Sequence, residues 1–401
     1  MNGLKHTSDD CKTAPPVKIT PRELCSAFTQ VSSVQVLFCV LLGSTAFGQT
    51  GVDAGFGYSD PWSNYRSPSV VSPSTFQSSV PYTAEAPCAT ATGCEPVTGC
   101  DCCAGPCDEC GRKLAVDVGA VFLHRSRPSG QTLFFNSTAP LEQIDASEFD
   151  FGFSSGLQIG VIAYDQESLT DIEFRGAWTD EWSSGVTQNF TGPTVQISAN
   201  PPLATTGPRT GFLTYNSQFW TAEVNARYRL RRLSGTTLLA GFRTMRLDEQ
   251  LNGTLIDPAG AVPDELIQTK TQNRLFGFQI GADYVFRNCC NWCLKMNARA
   301  GMYGNDGNQK GNLISLAAPP VVFPAQGGAG DLAFHAEFGF EGKIRMSNCV
   351  NLVGGYRVML IDGLSLASEQ LAATNFPAQS GYDSSGSVVL QEISIGVEVA
   401  Y

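Results

Sequence analysis

The chain has 401 residues, 42% of them hydrophobic and only 16% charged, well below the roughly 25% of a typical soluble domain. That hydrophobic share excludes disorder throughout, and a net charge of -11 without a basic stripe excludes nucleic acid as a partner. Three histidines beside 41 glycines and 24 phenylalanines suit closely packed strands better than a hydrolase relay.

Residues 1–48 read as an export signal. Val36 to Leu42 form a short apolar core, and Ala46 and Gly48 stand at minus three and minus one of a cleavage before Gln49. The upstream part carries Lys5, Lys12, Lys18 and Arg22 but also Asp9 and Asp10, so either the signal is extended or the true start lies downstream of Met1. A buried helix is the rival reading. No other stretch supplies 18 continuous apolar residues, which excludes helical membrane spans.

Residues 49–87 are rich in Ser, Pro, Gly and Tyr, with no period of 2 or 3.6, and read as an extended linker. Residues 88–111 hold Cys88, Cys94, Cys100, Cys102, Cys103, Cys107 and Cys110. In an exported chain this density predicts a disulfide-stapled segment. The odd count leaves one thiol for another envelope protein or for Cys289, Cys290, Cys293 or Cys349 downstream. A bridge from Cys290 or Cys293 to Cys349 would tie neighbouring turns together. Cys107 and Cys110 form a C-x-x-C without a second well-spaced pair or a nearby His, so no metal is assigned.

From residue 112 to 401 the texture becomes repeated alternation. Trp220, Ala222, Val224, Ala226, Tyr228 and Leu230 share one face of a strand, while Thr221, Glu223, Asn225, Arg227, Arg229 and Arg231 share the other. Leu332 to Ile344, Arg274 to Phe286, Thr170 to Trp178 and Glu392 to Tyr401 repeat the pattern. Further strands are expected at Leu114 to His124, Ser155 to Tyr164, Thr237 to Asp248, Leu294 to Tyr303 and Asn351 to Ile361. The total is ten, within a range of eight to twelve, and an even count suits a barrel with both chain ends on one side. Long loops are expected over Ser183 to Thr214 and Asn305 to Gly330.

The polar rows carry both signs: Glu173, Arg175, Glu223, Arg227, Arg229, Arg243, Asp283, Arg299, Glu337, Glu341, Arg357, Glu392 and Glu398. The opposite rows are rich in Phe, Trp, Tyr and small residues, which lipid tolerates and a jigsaw core would leave underpacked. A transmembrane antiparallel β-barrel with charged rows lining its lumen is therefore expected, against a soluble sandwich with the faces reversed. The last strand ends on Tyr401, like the terminal signal read by barrel-assembly machinery.

GFRTMRLDEQLNG (241–253), NRLFGFQIGADYVF (273–286) and GGYRVMLIDGLSLASEQLAATNF (354–376) resemble the seventh β-barrel porin family, abundant in planctomycete bacteria. The resemblance covers roughly Lys113 to Tyr401. It implies an outer-membrane barrel with Arg243 and Arg357 as inward structural arginines, and the cysteine-rich arm departs from simple porins.

The expected function is thus a porin-like channel for small solutes, set in outer-membrane lipid and without a cofactor. The alternative is a non-conducting structural or anchoring envelope protein cross-linked through its cysteine-rich arm, and a surface adhesin is a minor one. An enzyme is not expected. Only His6, His124 and His335 exist, no G-x-S-x-G elbow occurs, and His335 reads as a lumen histidine beside Glu337.

Overall fold

In the computed structural model the described residues are 112–401, apart from 139–141, 166, 200–201, 231–234, 260–262, 290 and 317–320. The export signal, linker and cysteine-rich segment therefore lie outside the described residues. The strands are β1 (Leu114–Arg125), β2 (Thr132–Asn136), β3 (Gln143–Asp145), β4 (Phe153–Ala163), β5 (Thr170–Thr179), β6 (Trp182–Phe190), β7 (Thr194–Ile197) and β8 (Leu203–Thr206). They continue with β9 (Arg209–Arg229), β10 (Thr236–Ile256), β11 (Pro263–Asn288), β12 (Trp292–Ser315), β13 (Val321–Arg345), β14 (Val350–Leu364) and β15 (Gly386–Ala400). One short helix, α1 (Ala367–Ala373), separates β14 from β15.

The antiparallel pairings run from β1 through β4, β5, β9, β10, β11, β12, β13, β14 and β15, and β15 pairs with β1. β6 continues the lane of β5 along β9: Trp178 stands opposite Trp220, and Trp182 opposite Ser217. The sheet is therefore a ring of ten lanes. The seam is tight to the last residue, since Tyr401 N–H donates to the Leu114 carbonyl at 2.8 Å. A second sheet of order β3-β2-β7-β8 is built from the segments after β1 and β6.

One end of the ring carries both ends of the described chain, together with the ends of β4, β9, β11 and β13 and the starts of β5, β10, β12 and β14. The other, the long-loop end, carries β2, β3, the segment 365–385 and the far halves of β9 to β13. These strands, 21 to 26 residues long, overturn two of the expected loops. Asn305 to Gly330 is mostly β12 and β13, and Ser183 to Thr214 is mostly β6, β7, β8 and the start of β9. The ladder persists there, but the apolar outer row that marks the nearer halves does not.

The cause is an inversion of polarity partway along the strands. On β10, Leu238, Ala240 and Phe242 face outward, followed on the same row by Arg246, Asp248, Gln250 and Asn252. The inward row does the reverse: Gly241 and Arg243 give way to Met245, Leu247, Leu251 and Leu255. On β15, Ile393, Ile395 and Val397 are exposed and Glu392 and Glu398 buried, whereas nearer the long-loop end Val388 and Leu390 are buried and Ser387 and Gln391 exposed. β14 turns over between Arg357 and Met359 inside and between Leu360 and Asp362 outside. Paired positions place the turnover together: Arg246 opposes Arg274, and Arg274 opposes Asp306, one row beyond Phe276 and Gly304.

Candidate functional site: a charged layer beneath an apolar plug

In the half near the chain ends, the inward rows carry charge. Glu173, Glu223, Arg227, Arg243, Asp283, Arg299, Glu337, Glu392 and Glu398 are buried there, and Arg175, Arg229, Glu341 and Arg357 are half-buried on the same rows. Period-two geometry puts them on one face, and ring curvature brings distant strands within reach of each other. Glu337 on β13 meets Arg243 at 2.8 Å, Arg357 at 3.2 Å and Arg299 at 3.6 Å. Glu223 on β9 accepts from Arg299 at 2.6 Å and from Gln279 at 2.8 Å. Arg227 reaches Asp283 at 3.4 Å, and Lys295 bridges Asp283 at 4.0 Å and Glu341 at 3.0 Å. Lys343 then connects Glu341 to Glu398, and Arg357 also binds Glu392.

Such a network holds only when complete. Buried charges are costly to desolvate, and deleting one partner of a buried pair costs about 3–5 kcal/mol. Here each acid touches at least one base from another lane or from its own row, so the layer cross-braces the ring. His335 belongs to it, with Nε2 at 3.4 Å from Arg243 and 3.6 Å from Glu337 and its ring edge-on to Tyr303. A cavity in this layer, lined by Asp117, Arg175, Glu341, Arg357 and Glu398 among others, has a volume of about 60 Å³. At roughly 10–15 Å³ per water, that admits a handful of waters.

Toward the long-loop end the interior becomes an apolar core. Leu213, Tyr215 and Phe219 from β9, Leu247, Leu251 and Leu255 from β10, and Met359 and Ile361 from β14 pack with Leu133, Phe134, Ile144, Val195 and Ile197 of the small sheet. Phe134 sits so close that a Cβ on Gly253 would lie 2.9 Å from its ring, which is why the inward row is bare there. The 365–385 segment folds inward too. Gly363, at φ +85°, makes the bend in a conformation that disfavours other residues. Leu366, Leu371 and Phe376 are buried in the same core.

Polar pins fix this plug. Asn273 donates to the Ser365 carbonyl and accepts from its N–H, both at 2.8 Å, and Asn305 donates to the Gly363 carbonyl at 2.9 Å. Gln309 donates to Thr374 Oγ1 at 3.0 Å. Arg125 pairs with Glu249 at 2.5 Å and lies 4.8 Å from the Phe151 ring centroid and 5.1 Å from that of Tyr215. Glu249 also accepts from Tyr215 Oη at 2.7 Å and from the Ala367 N–H at 2.9 Å.

Sequence reasoning missed Arg125, Glu249, Lys295 and Asp117. Lys295 and Asp117 stand on ordinary alternating rows and were there to be found. Arg125 and Glu249 lie beyond the inversion, where their rows no longer look charged.

The cysteines need one correction. Cys293 is disulfide-bonded, but its partner is not Cys349. β13 lies between β12 and β14, so two lane spacings of about 4.8 Å separate their backbones. That exceeds the usual 4.4–6.8 Å between bridged Cα atoms. Cys289 is a free thiol, and Cys290 is outside the described residues.

No family model matches the chain, so the resemblance to the planctomycete porins rests on the quoted motifs. No curated protein matches it either. Among solved structures it is similar to the outer-membrane protease OmpT of Escherichia coli at 9% identity, covering 72% of this chain and 97% of that one, with a TM-score of 0.40. The toluene transporter TodX of Pseudomonas putida matches at 8% identity over 72% and 89%, with a TM-score of 0.24. The β domain of the Bordetella autotransporter BrkA matches at 10% identity over 72% and 100%, with a TM-score of 0.19. At these scores the fold is argued from its own pairings and faces.

Proposed function

We propose that the chain is an outer-membrane β-barrel whose lumen is shut, serving as a structural or anchoring element of the cell envelope. The observation that carries this reading is the occupied interior: a paired charge layer around a cavity of about 60 Å³, capped by an apolar plug. The porin-like channel that leads the sequence reading would require that plug to leave, which Asn273, Asn305, Gln309 and Glu249 oppose.

The membrane location is supported by the outward belt of the nearer half. Val118, Leu157, Ile172, Val224, Phe242, Ile280, Met302, Phe338, Leu360 and Ile395 are exposed, one from each lane of the ring. A soluble monomer rarely shows a continuous apolar patch beyond a few hundred Å². On β11 the belt runs from Phe276 to Phe286. That is ~34 Å of strand, or about 24 Å of height at the usual tilt near 45°, close to the height of an outer-membrane hydrocarbon band. Trp178 and Trp220 at one edge, and Tyr228, Tyr284, Trp292 and Tyr401 toward the other, suit interfacial girdles.

In this reading the seam strand β15, ending at Tyr401, is the segment presented to the assembly machinery. The motif that most resembles the planctomycete porins, Gly354 to Gln370, corresponds to β14 and the inward helix. The cysteine-rich arm would supply the covalent link to another envelope protein. A non-enzymatic role is supported by the two described histidines, His124 tilted against the Phe153 ring and His335 held between Arg243 and Glu337.

Planar-bilayer recording with purified full-length protein tests the proposal. Silence is expected from bilayers in which antibody or protease accessibility shows insertion. Steady, discrete openings from the intact chain would restore the channel.

A further inference from the structure

We infer that the outer wall of β10, β11 and β12 binds the phosphate headgroup of an anionic membrane lipid between Arg246 and Arg274. The inference rests on the membrane reading above.

The observation is one of register. Arg246 stands directly opposite Arg274 across β10 and β11, on the first outward row beyond the apolar belt. Two outward rows further on, Lys270 stands directly opposite Lys310 across β11 and β12. Like charges at directly opposed positions destabilise a sheet, and here that occurs twice within three neighbouring strands. The local acids do not resolve it. Asp248 is occupied by Arg246 Nε at 2.8 Å and by Gln272 at 3.0 Å, and Asp306 stands opposite Arg274 with no ion pair. Arg274, Lys270 and Lys310 make no ion pair among the described residues. Four bases stand against three outward acids, Asp248, Asp306 and Glu181, which leaves the patch positive by one charge, with guanidinium and ammonium donors pointing outward.

Position selects the ligand. The arginine row sits immediately beyond Thr244 and Phe276, where the belt ends and phosphate headgroups would begin. Beside it is a recess of about 330 Å³ lined by Glu181, Asp248, Lys270, Gln272, Asn308 and Lys310 among others, with room for a headgroup. Six residues back along the strand, ~20 Å at the usual rise, Ala240 and Ala300 flank Ile280. They belong to an apolar groove with Ala226, Ala282 and Ala298, whose small side chains leave a track for an acyl chain. A phosphate bridging the two guanidiniums would turn their repulsion into two charge-assisted contacts.

The test uses full-length protein inserted into vesicles of equal phosphatidylglycerol and phosphatidylcholine, then extracted in mild detergent and weighed with its retained lipid by native mass spectrometry. The intact chain should keep phosphatidylglycerol in preference to phosphatidylcholine. Arg246→Gln with Arg274→Gln should cut that preference about 30-fold, roughly fivefold per arginine. Arg127→Gln, on an exposed loop at the long-loop end, should leave it unchanged. Heat-modifiable gel mobility confirms that each variant is folded. An inserted chain that shows no lipid preference, or a double variant that keeps it, overturns the headgroup site and leaves the membrane reading standing. A chain that does not insert at all overturns the membrane reading, and this site with it.

Discussion

Replacing Ile280 by arginine separates a lipid-facing wall from a water-facing one. Ile280 is 65% exposed, outward on β11, midway along the apolar run from Phe276 to Phe286. If that surface meets water, Ile280→Arg is an ordinary surface change, worth no more than about 0.5 kcal/mol either way. If it meets hydrocarbon, arginine near the mid-plane costs about 2–4 kcal/mol. At tenfold per 1.4 kcal/mol, that is a loss of roughly 30-fold to nearly 1000-fold in the folding equilibrium. The control is Ser387→Arg on β15, outward but beyond the inversion, where water is expected whichever medium surrounds Ile280. Reversible urea unfolding in phospholipid vesicles, followed by tryptophan fluorescence, measures both. A large penalty at 280 with almost none at 387 is expected. Equal, small effects at the two positions would refute the lipid-facing assignment.

Two further outcomes follow from the plug. Arg125→Leu should cost about 3–5 kcal/mol, because Glu249 would remain buried without its base. The double variant with Glu249→Leu should recover much of that loss, and a double-mutant cycle on unfolding free energies reads the coupling. In the excursion after β1, hydrogen bonds from Thr191 and then Asn136 hold the exposed Glu142 carboxyl down to about 2. A folded value below the unfolded one of about 4.3 means that this contribution is fully present above pH ~4.3 and disappears as pH falls toward 2. Protection of the Thr191 and Gly192 amides, both donors to Glu142, relative to their intrinsic exchange rates should therefore fall across that window, and Glu142→Gln should remove that pH dependence of protection.

The sequence was legible where one polarity rule holds along a strand. Glu223, Asn225 and Arg227 alternate with Val224, Ala226 and Tyr228, and the ten strands were placed from runs like this one. Legibility failed at the inversion. A reader following the row of Arg243 next meets Met245 and Leu247, so the charged row seems to end and the strand with it. β10 in fact continues to Ile256 with its faces exchanged. The plug was illegible for another reason: Ser365 to Phe376 has no period, and its place is set by Asn273, Asn305 and Gln309, which are 60 to 100 residues away and anonymous in a polar strand.

The inversion is nonetheless written in the primary structure, and it bears directly on the choice between a sandwich and a membrane barrel. A soluble sheet has water on one face and core on the other along its whole length, so each row should keep its character from end to end. Rows that exchange character at matched positions on neighbouring strands require two surroundings along one strand. Leu238 and Phe242 face out where Arg243 faces in, and Arg246 and Asp248 face out where Leu247 and Leu251 face in. A wall that crosses hydrocarbon and then emerges into water, with its own core beyond the boundary, satisfies both halves at once. Aqueous sandwich packing satisfies only the second.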